Sequence, residues 1–272
     1  MRFFKILLIV VFIVTLCLFV GVQVRDRLFT DTTRPVISCE SDVLEVSVSA
    51  DNEALLQGVT ARDNVDGDLT GKVMVGSISK LMTADTAKIT YVVFDSSSNM
   101  GTLTRSIRYT DYSRPRFALT APLSYTVGEE IKLTGRLHAE DTIDGDLSES
   151  IQISAFDVST SVAGSYFVTV RVMNSLGDMT SLSLPILVEE AGEDVPRITL
   201  KEWLVYLKKG EQFNPRAYIA GLRDPAAPGA KVELITTDGA VDTATEGTYN
   251  VTYTYRNGNG VRAKAMLTVV VE

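Results

Sequence analysis

The sequence predicts an all-β chain of three small sandwiches in tandem, carried behind one N-terminal membrane-spanning helix. Three observations predict it. An acidic phrase occurs twice, as Asp63-Asn64-Val65-Asp66-Gly67-Asp68-Leu69-Thr70 and as Asp141-Thr142-Ile143-Asp144-Gly145-Asp146-Leu147-Ser148. The two copies are 78 residues apart, counted from Asp66 to Asp144, too long for a solenoid unit and close to one small sandwich. Proline junctions cut the chain at nearly the same interval, and the N-terminus is a continuous apolar run.

That run comes first in the chain. From Ile6 to Val24 there are 19 residues without a charge, mostly Ile, Leu, Val and Phe. A hydrocarbon core requires roughly 17–25. A secretory signal peptide is the rival reading, but its apolar region spans about 7–15 residues before a small-x-small cleavage site. Here Gly21-Val22-Gln23-Val24-Arg25 offers no Ala-x-Ala pattern, and Leu16 stands before Cys17 where a lipoprotein signal has a small residue. Arg2, Lys5 and the amino terminus favour a cytoplasmic N-terminus only weakly, since Arg25 and Arg27 stand beyond the run, partly offset by Asp26. The acidic tandem sandwiches beyond the anchor decide the orientation better.

Thr33-Arg34-Pro35, Ser113-Arg114-Pro115 and Asp194-Val195-Pro196 each precede an apolar stretch. Proline fixes its own φ and biases its predecessor toward extended backbone, so each is a short stiff link into a first strand. The prolines are 80 and 81 residues apart, which gives three domains each able to hold one small core. Within each, alternation marks a half-buried penultimate strand: Ile89, Tyr91 and Val93; Tyr166, Val168, Val170 and Val172; Tyr249, Val251, Tyr253 and Tyr255. The strands run into Asp95-Ser96-Ser97-Ser98, Asn174-Ser175-Leu176-Gly177 and Asn257-Gly258-Asn259-Gly260, where Asx and Gly supply hairpin chemistry. A last strand follows each. Tyr166 and Tyr249 open the penultimate strand after a polar corner, where a tyrosine can tuck in its ring and return its hydroxyl to backbone; the first repeat has Ala87 there. The two cysteines, Cys17 in the apolar run and Cys39 alone beyond it, cannot staple a domain, so the cores must hold by packing.

These residues carry a resemblance. Asp63 to Thr70, and Asp242-Thr243-Ala244-Thr245-Glu246-Gly247-Thr248-Tyr249-Asn250-Val251-Thr252-Tyr253, resemble the two halves of the bacterial immunoglobulin-like repeat of the type found in a pesticidal crystal protein and in bacterial surface proteins. The resemblance covers residues 34–272 in three copies. It implies three Ig-like β-sandwiches and says little about activity, because such modules serve as spacers, adhesin segments and accessory domains alike. The third copy departs from the pattern, with Arg223-Asp224-Pro225-Ala226-Ala227-Pro228-Gly229 in place of the Asp-Gly-Asp phrase. The expected organisation is a cytoplasmic tip and transmembrane anchor over 1–25, a linker over 26–33, and Ig-like domains over 34–112, 113–190 and 191–272, the last divergent. The expected topology is a single-pass membrane protein with a cytoplasmic N-terminus and its Ig-like domains outside the cell.

Chemistry is sparse. The formal charge is −8, and without Arg2 and Lys5 the remainder carries −10, which argues against nucleic acid as a partner. Asp63, Asp66 and Asp68, with Asp141, Asp144 and Asp146, are the candidate calcium ligands, since Asp-rich loops can gather the 6–8 oxygens calcium takes. Their spacing is not that of an EF-hand and no bidentate Glu follows, so a capped turn is the favoured reading and no metal or other cofactor is expected. In that turn Leu69 and Leu147 anchor the loop inward. His138 is the single histidine, no Gly-x-Ser-x-Gly elbow occurs, and no catalytic residue is assigned. Trp203 and Tyr206 can stack on a sugar, or serve in core and inter-domain packing. The expected roles are therefore a stalk or protein-interaction module at the cell surface, held in the membrane through residues 6–24, or an adhesin or glycan binder with the third domain as reader.

Overall fold

A computed structural model of the chain describes residues 2–29, 31–83, 85–192 and 194–272, with the side chains of all of these except residues 2 and 25–29. The side chains of Arg2, Arg25 and Arg27, three of the charges weighed for the expected orientation, therefore lie outside what is described. The chain divides into two compact units, Met1–Thr110 and Asp111–Glu272.

The first unit opens with helix α1 (Arg2–Phe29). Its stretch Phe3–Val24 has a mean hydropathy of 3.0 and none of it is buried in the fold. The helix runs past the expected linker boundary, so residues 26–29 are helical; nothing between Arg25 and Phe29 is a Gly or Pro that would stop it. Seven strands follow: β1 (Val36–Cys39), β2 (Val43–Val46), β3 (Val59–Asp63), β4 (Gly67–Asp68), β5 (Met74–Ile78), β6 (Thr86–Phe94) and β7 (Met100–Tyr109). They form two sheets, β1-β3-β4 and β2-β7-β6-β5. Strand β2 runs parallel to β7, and all the other pairings are antiparallel.

The second unit repeats this plan twice. Its first sandwich has β8 (Arg116–Leu119), β9 (Ser124–Thr126), β10 (Leu137–Asp141), β11 (Gly145–Asp146), β12 (Gln152–Asp157), β13 (Gly164–Met173) and β14 (Met179–Glu189). Its second has β15 (Arg197–Leu200), β16 (Leu204–Leu207), β17 (Ile219–Arg223), β18 (Thr236–Asp238), β19 (Gly247–Arg256) and β20 (Arg262–Val271). The sheets are β8-β10-β11 with β9-β14-β13-β12, and β15-β17 with β16-β20-β19-β18. Among the described residues, the last sandwich has no counterpart of the two-residue strand that Asp-Gly-Asp builds in the other two.

The cores follow the period-two register. Ile89, Tyr91, Val93, Val168, Val170, Val251 and Tyr253 are fully buried on the inward faces of β6, β13 and β19, while Thr90, Thr169, Asn250 and Thr252 are half-exposed between them. Tyr166 and Tyr249 pack half-buried against their cores and donate their hydroxyls to the carbonyls of Val162 and Thr245 at 2.8 and 2.9 Å. Cys39, half-buried at the end of β1, is a free thiol held above its ordinary pKa chiefly by burial.

Candidate functional site

The acidic phrase builds the same corner in the first two sandwiches. Asp63 ends β3 and its Oδ1 accepts from the N–H groups of Val65 and Asp66 at 2.8 and 3.0 Å; Asp141 ends β10 and accepts from Ile143 and Asp144 at 3.0 and 2.7 Å. Gly67 and Gly145 then take φ of 74° and 71°, a left-handed conformation that favours glycine. Asp68 and Asp146 accept from the N–H of Thr70 and Ser148, the first residues of the following 3-10 turns, both at 2.9 Å. Leu69 and Leu147 plunge into the cores, a burial that contributes about 1.5–3 kcal/mol each. The middle aspartate reaches further. Asp66 and Asp144 each accept from a hairpin N–H, of Ser96 and of Ser175, both at 2.6 Å. The phrase is thereby stitched to the β6–β7 turn in one sandwich and to the β13–β14 turn in the other.

These bonds set the electrostatics. Backbone donation from Asp66, then Val65, holds the Asp63 carboxyl below the usual carboxylate range. Asp68 and Asp146 are held low first by the hydroxyls and then by the backbone N–H groups of Thr70 and Ser148.

Behind the turns the sandwiches differ. In the second, Asn174 at the end of β13 donates from Nδ2 to Asp141 Oδ2 at 2.8 Å and to the Tyr112 hydroxyl at 2.9 Å. Tyr112 donates in turn to Asp178 at 2.8 Å, and burial followed by that carboxylate pushes its pKa well up. In the third, Asp224 occupies the equivalent place after β17 and keeps the Asx turn, accepting from Ala226 N–H at 3.0 Å despite the lost phrase. Tyr255 donates to Asp224 Oδ2 at 2.8 Å, and Asn257 Nδ2 approaches Oδ1 at 3.4 Å. Burial raises the Asp224 carboxyl, and these donors more than offset it, so its pKa ends below the ordinary value.

In the first sandwich the same place holds acids. Asp95 replaces the asparagine, and Asp31 enters from the segment after α1. Among the described residues, Asp31, Asp63 and Asp95 bring one carboxylate oxygen each within 4.8 Å of the others. Of the six candidate calcium ligands read from the sequence, this cluster contains Asp63 alone. Asp68, Asp141 and Asp146 accept backbone hydrogen bonds in their own turns, and Asp66 and Asp144 accept from the facing hairpins. Asp31 and Asp95 were not singled out, although the repeat itself offered the signal. The residue that opens the hairpin turn is Asp in the first copy and Asn in the other two.

His138, on β10, is half-buried with Nδ1 3.4 Å from the Ser148 hydroxyl. Trp203 is half-buried and borders a cleft of 540 Å³ within the second unit. Tyr125, Arg136 and Glu189 line it from the second sandwich, Arg197 and Lys264 from the third. Arg136 lies over the Tyr125 ring at 4.5 Å and donates to the carbonyls of Pro122 and Ser124. The two sandwiches are tied beside it. Tyr206 accepts from Phe117 N–H at 3.0 Å, and Arg116 lies 5.1 Å over its ring while pairing with Glu272.

Known proteins resemble this chain in part. Residues 200–271 match a family model described as a bacterial surface protein, Ig-like domain. The pesticidal crystal protein Cry22Aa of Bacillus thuringiensis is 32% identical over 138 residues, half of this chain and 18% of that protein. An uncharacterized 81.3 kDa protein of Acholeplasma phage L2 is 27% identical over 158 residues, 55% of this chain and 21% of that one. The chain thus spans about a fifth of the length of these curated relatives. The resemblance to the bacterial Ig-like repeat seen in the sequence is borne out. Among solved structures, the CBM51-2 and INT domains of Clostridium perfringens ZmpB, in complex with GlcNAc, align over 88% of this chain and 42% of that one, at 14% identity and a TM-score of 0.24. A protocadherin gamma B7 extracellular fragment aligns over 88% and 76%, at 14% identity and a TM-score of 0.22. Scores this low carry no argument, and the fold rests on the strand pairings themselves.

Proposed function

We propose that this chain is a membrane-anchored surface protein whose Ig-like sandwiches serve as a stalk or protein-interaction module outside the cell, with the N-terminus in the cytoplasm. The observation that carries the reading is the contrast between α1 and everything after it. Every described side chain from Phe3 to Val24 is exposed, in a chain whose sandwiches bury their apolar residues. Leaving such a helix in water is costly, at about 25 cal/mol for each Å² of apolar surface, and a bilayer removes that cost. The family likeness of residues 200–271 supports the surface setting. The test is fractionation with intact-mass measurement, then protease shaving of whole cells. The full-length chain should stay in the membrane fraction, and fragments from beyond residue 33 should be released from outside. A mature chain beginning after about residue 21 would replace the anchor with a cleaved signal.

A second reading has one specific observation behind it. Trp203 borders a cleft that also carries Arg136, Arg197, Glu189 and Lys264, a pairing of aromatic face and polar groups suited to a glycan or a cell-surface protein. A glycan array probed with the full-length chain and its Trp203→Ala variant tests it. Glycan binding lost in the variant supports a reader role. Binding unchanged in the variant removes the cleft from consideration.

A further inference from the structure

We infer that Asp31, Asp63 and Asp95 form a calcium site in the first sandwich, at the exit of the N-terminal helix. Three observations converge. The carboxylates of the three residues approach within 4.8 Å of one another. Asp63 is only 5% exposed, and its Oδ2 is buried with no hydrogen-bond partner; Asp31 Oδ2 is orphaned in the same way. A buried carboxylate oxygen left without a donor is costly unless a cation or proton compensates it. The third observation is internal to the molecule. The residues equivalent to Asp63 are fully served: Asp141 Oδ2 by the Asn174 amide, Asp224 Oδ2 by the Tyr255 hydroxyl. Two sandwiches supply their own donors at this corner, and the first substitutes a third acid.

The donor set selects the ion. It is all oxygen, which suits Ca²⁺ and Mg²⁺ rather than zinc. The oxygens come from a strand end, a hairpin turn and the irregular segment after α1. That mix fits the variable geometry calcium accepts better than the octahedron magnesium demands. The bonds already made do not fill the site. Asp63 Oδ1 caps the turn, Asp95 accepts from Asn99 N–H and Nδ2, both at 2.7 Å, and Asp31 Oδ1 accepts from Thr33 N–H at 2.9 Å. Asp31 Oδ1 and the two Asp95 oxygens accept one bond each and keep a lone pair, whereas Asp63 Oδ1 accepts two and leaves its Oδ2 as the oxygen offered to the ion; water completes the shell. With three protein carboxylates the affinity should be on the order of 10⁻⁴–10⁻³ M, as in weak extracellular modules.

The consequence is mechanical. Asp31 lies two residues beyond the end of α1 at Phe29. Without the ion, the Asp31 segment is held to the hairpin by the Asn99 amide donating to the Asp31 carbonyl at 3.0 Å. With it, one cation clamps that segment to β3 and to the β6–β7 turn together. Calcium would then set how firmly the first sandwich is held to its helix.

The experiment is a CaCl₂ titration by calorimetry on the full-length chain in detergent micelles, with thermal melts in EDTA and in 10 Kd calcium, on the order of 1–10 mM. Expected are one saturable site per chain and a calcium-dependent rise in melting of the first unit alone. Asp95→Asn installs the residue the other sandwiches use, so it should fold, melt in EDTA no lower than the parent, and lose the calcium response. Asp31→Asn lies outside the strands and should lose it too, which keeps the test decisive if Asp95→Asn misfolds. Asp68→Asn removes a turn carboxylate outside the cluster and should bind as the parent does. No heat and no melting shift at 10 mM calcium would sink the site. So would a response that survives both Asp95→Asn and Asp31→Asn, or one that disappears in Asp68→Asn.

Discussion

The first and second sandwiches share a core, a corner and a hairpin, and differ behind the corner by one amide. Asn174 links Asp141 to Tyr112, and Tyr112 links on to Asp178, so the second oxygen of Asp141 is served by a neutral donor. Asp95 presents acid to acid, and two carboxylate oxygens are left over. The difference teaches that the Asp-Gly-Asp phrase and the cation question are separable. The phrase builds the turn identically in both places, whereas the cluster depends on what the neighbouring hairpin and the incoming segment contribute.

The comparison first requires that the cores be equivalent, and this carries the largest expected effect. Ile89, Val168 and Val251 occupy one register position in the three sandwiches and are all fully buried. Aspartate at any of them places an unpaired charge in a core without a disulfide, and should cost about 3–5 kcal/mol. Chemical denaturation of the three single variants should show Ile89→Asp unfolding the first unit, and the other two the second. A variant that unfolds at the parent's midpoint would break the equivalence for that sandwich.

Next in size is the amide itself. Asn174→Asp should cost the second unit about 2–3 kcal/mol, because it trades two donated hydrogen bonds at a residue 3% exposed for repulsion against Asp141. Thermal melts at pH 7 in EDTA measure it. Added calcium should recover part of the loss if three acids at this corner suffice to hold the ion. An Asn174→Asp chain that melts like the parent in EDTA would mean that the amide is not what separates the two corners.

Much of this was legible in the sequence, for physical reasons. Period-two burial is a direct consequence of pleating, so the inward faces of β6, β13 and β19 could be read residue by residue. The tyrosine returns at Tyr166 and Tyr249 followed from a local four-residue loop. What could not be read depends on long-range placement. Asp31, Asp63 and Asp95 are separated by 32 residues at each step, and only the sheet topology brings them together. Arg105 is similar. It sits buried on a strand face, its Nε donating to the Tyr91 hydroxyl at 2.8 Å and its Nη2 to the Gln57 carbonyl at 2.9 Å, where alternation alone would put an apolar residue. The Asp224 corner shows the converse. The third copy departs from the phrase, yet one aspartate with a tyrosine and an asparagine behind it makes the polar contact there.

The smallest effect tests the hairpin, where the sandwiches share one backbone conformation and differ in the residue that takes it. The turn after β6 closes with Ser98 N–H donating to the Asp95 carbonyl at 3.2 Å; Gly177 and Gly260 make the same bond to Asn174 and Asn257 at 3.0 Å. All three residues take the left-handed region, with φ of 69°, 81° and 81°, and Ser98 is the non-glycine residue that does so among those described. A side chain with a Cβ is strained there, and serine gives back part of that through its smaller unfolded-state entropy. Ser98→Gly should therefore stabilise the first unit by about 0.5–1 kcal/mol, and Gly177→Ser should weaken the second by a similar amount. Because the turn carries Asp95 at one end, the substitution also probes the cluster. A relaxed turn that keeps the Asp95–Ser98 bond leaves the carboxylates where they are, so the calcium response should be retained while the melting temperature in EDTA rises. A fall in melting on Ser98→Gly would show that the turn is held by the Ser98 side chain rather than strained by it.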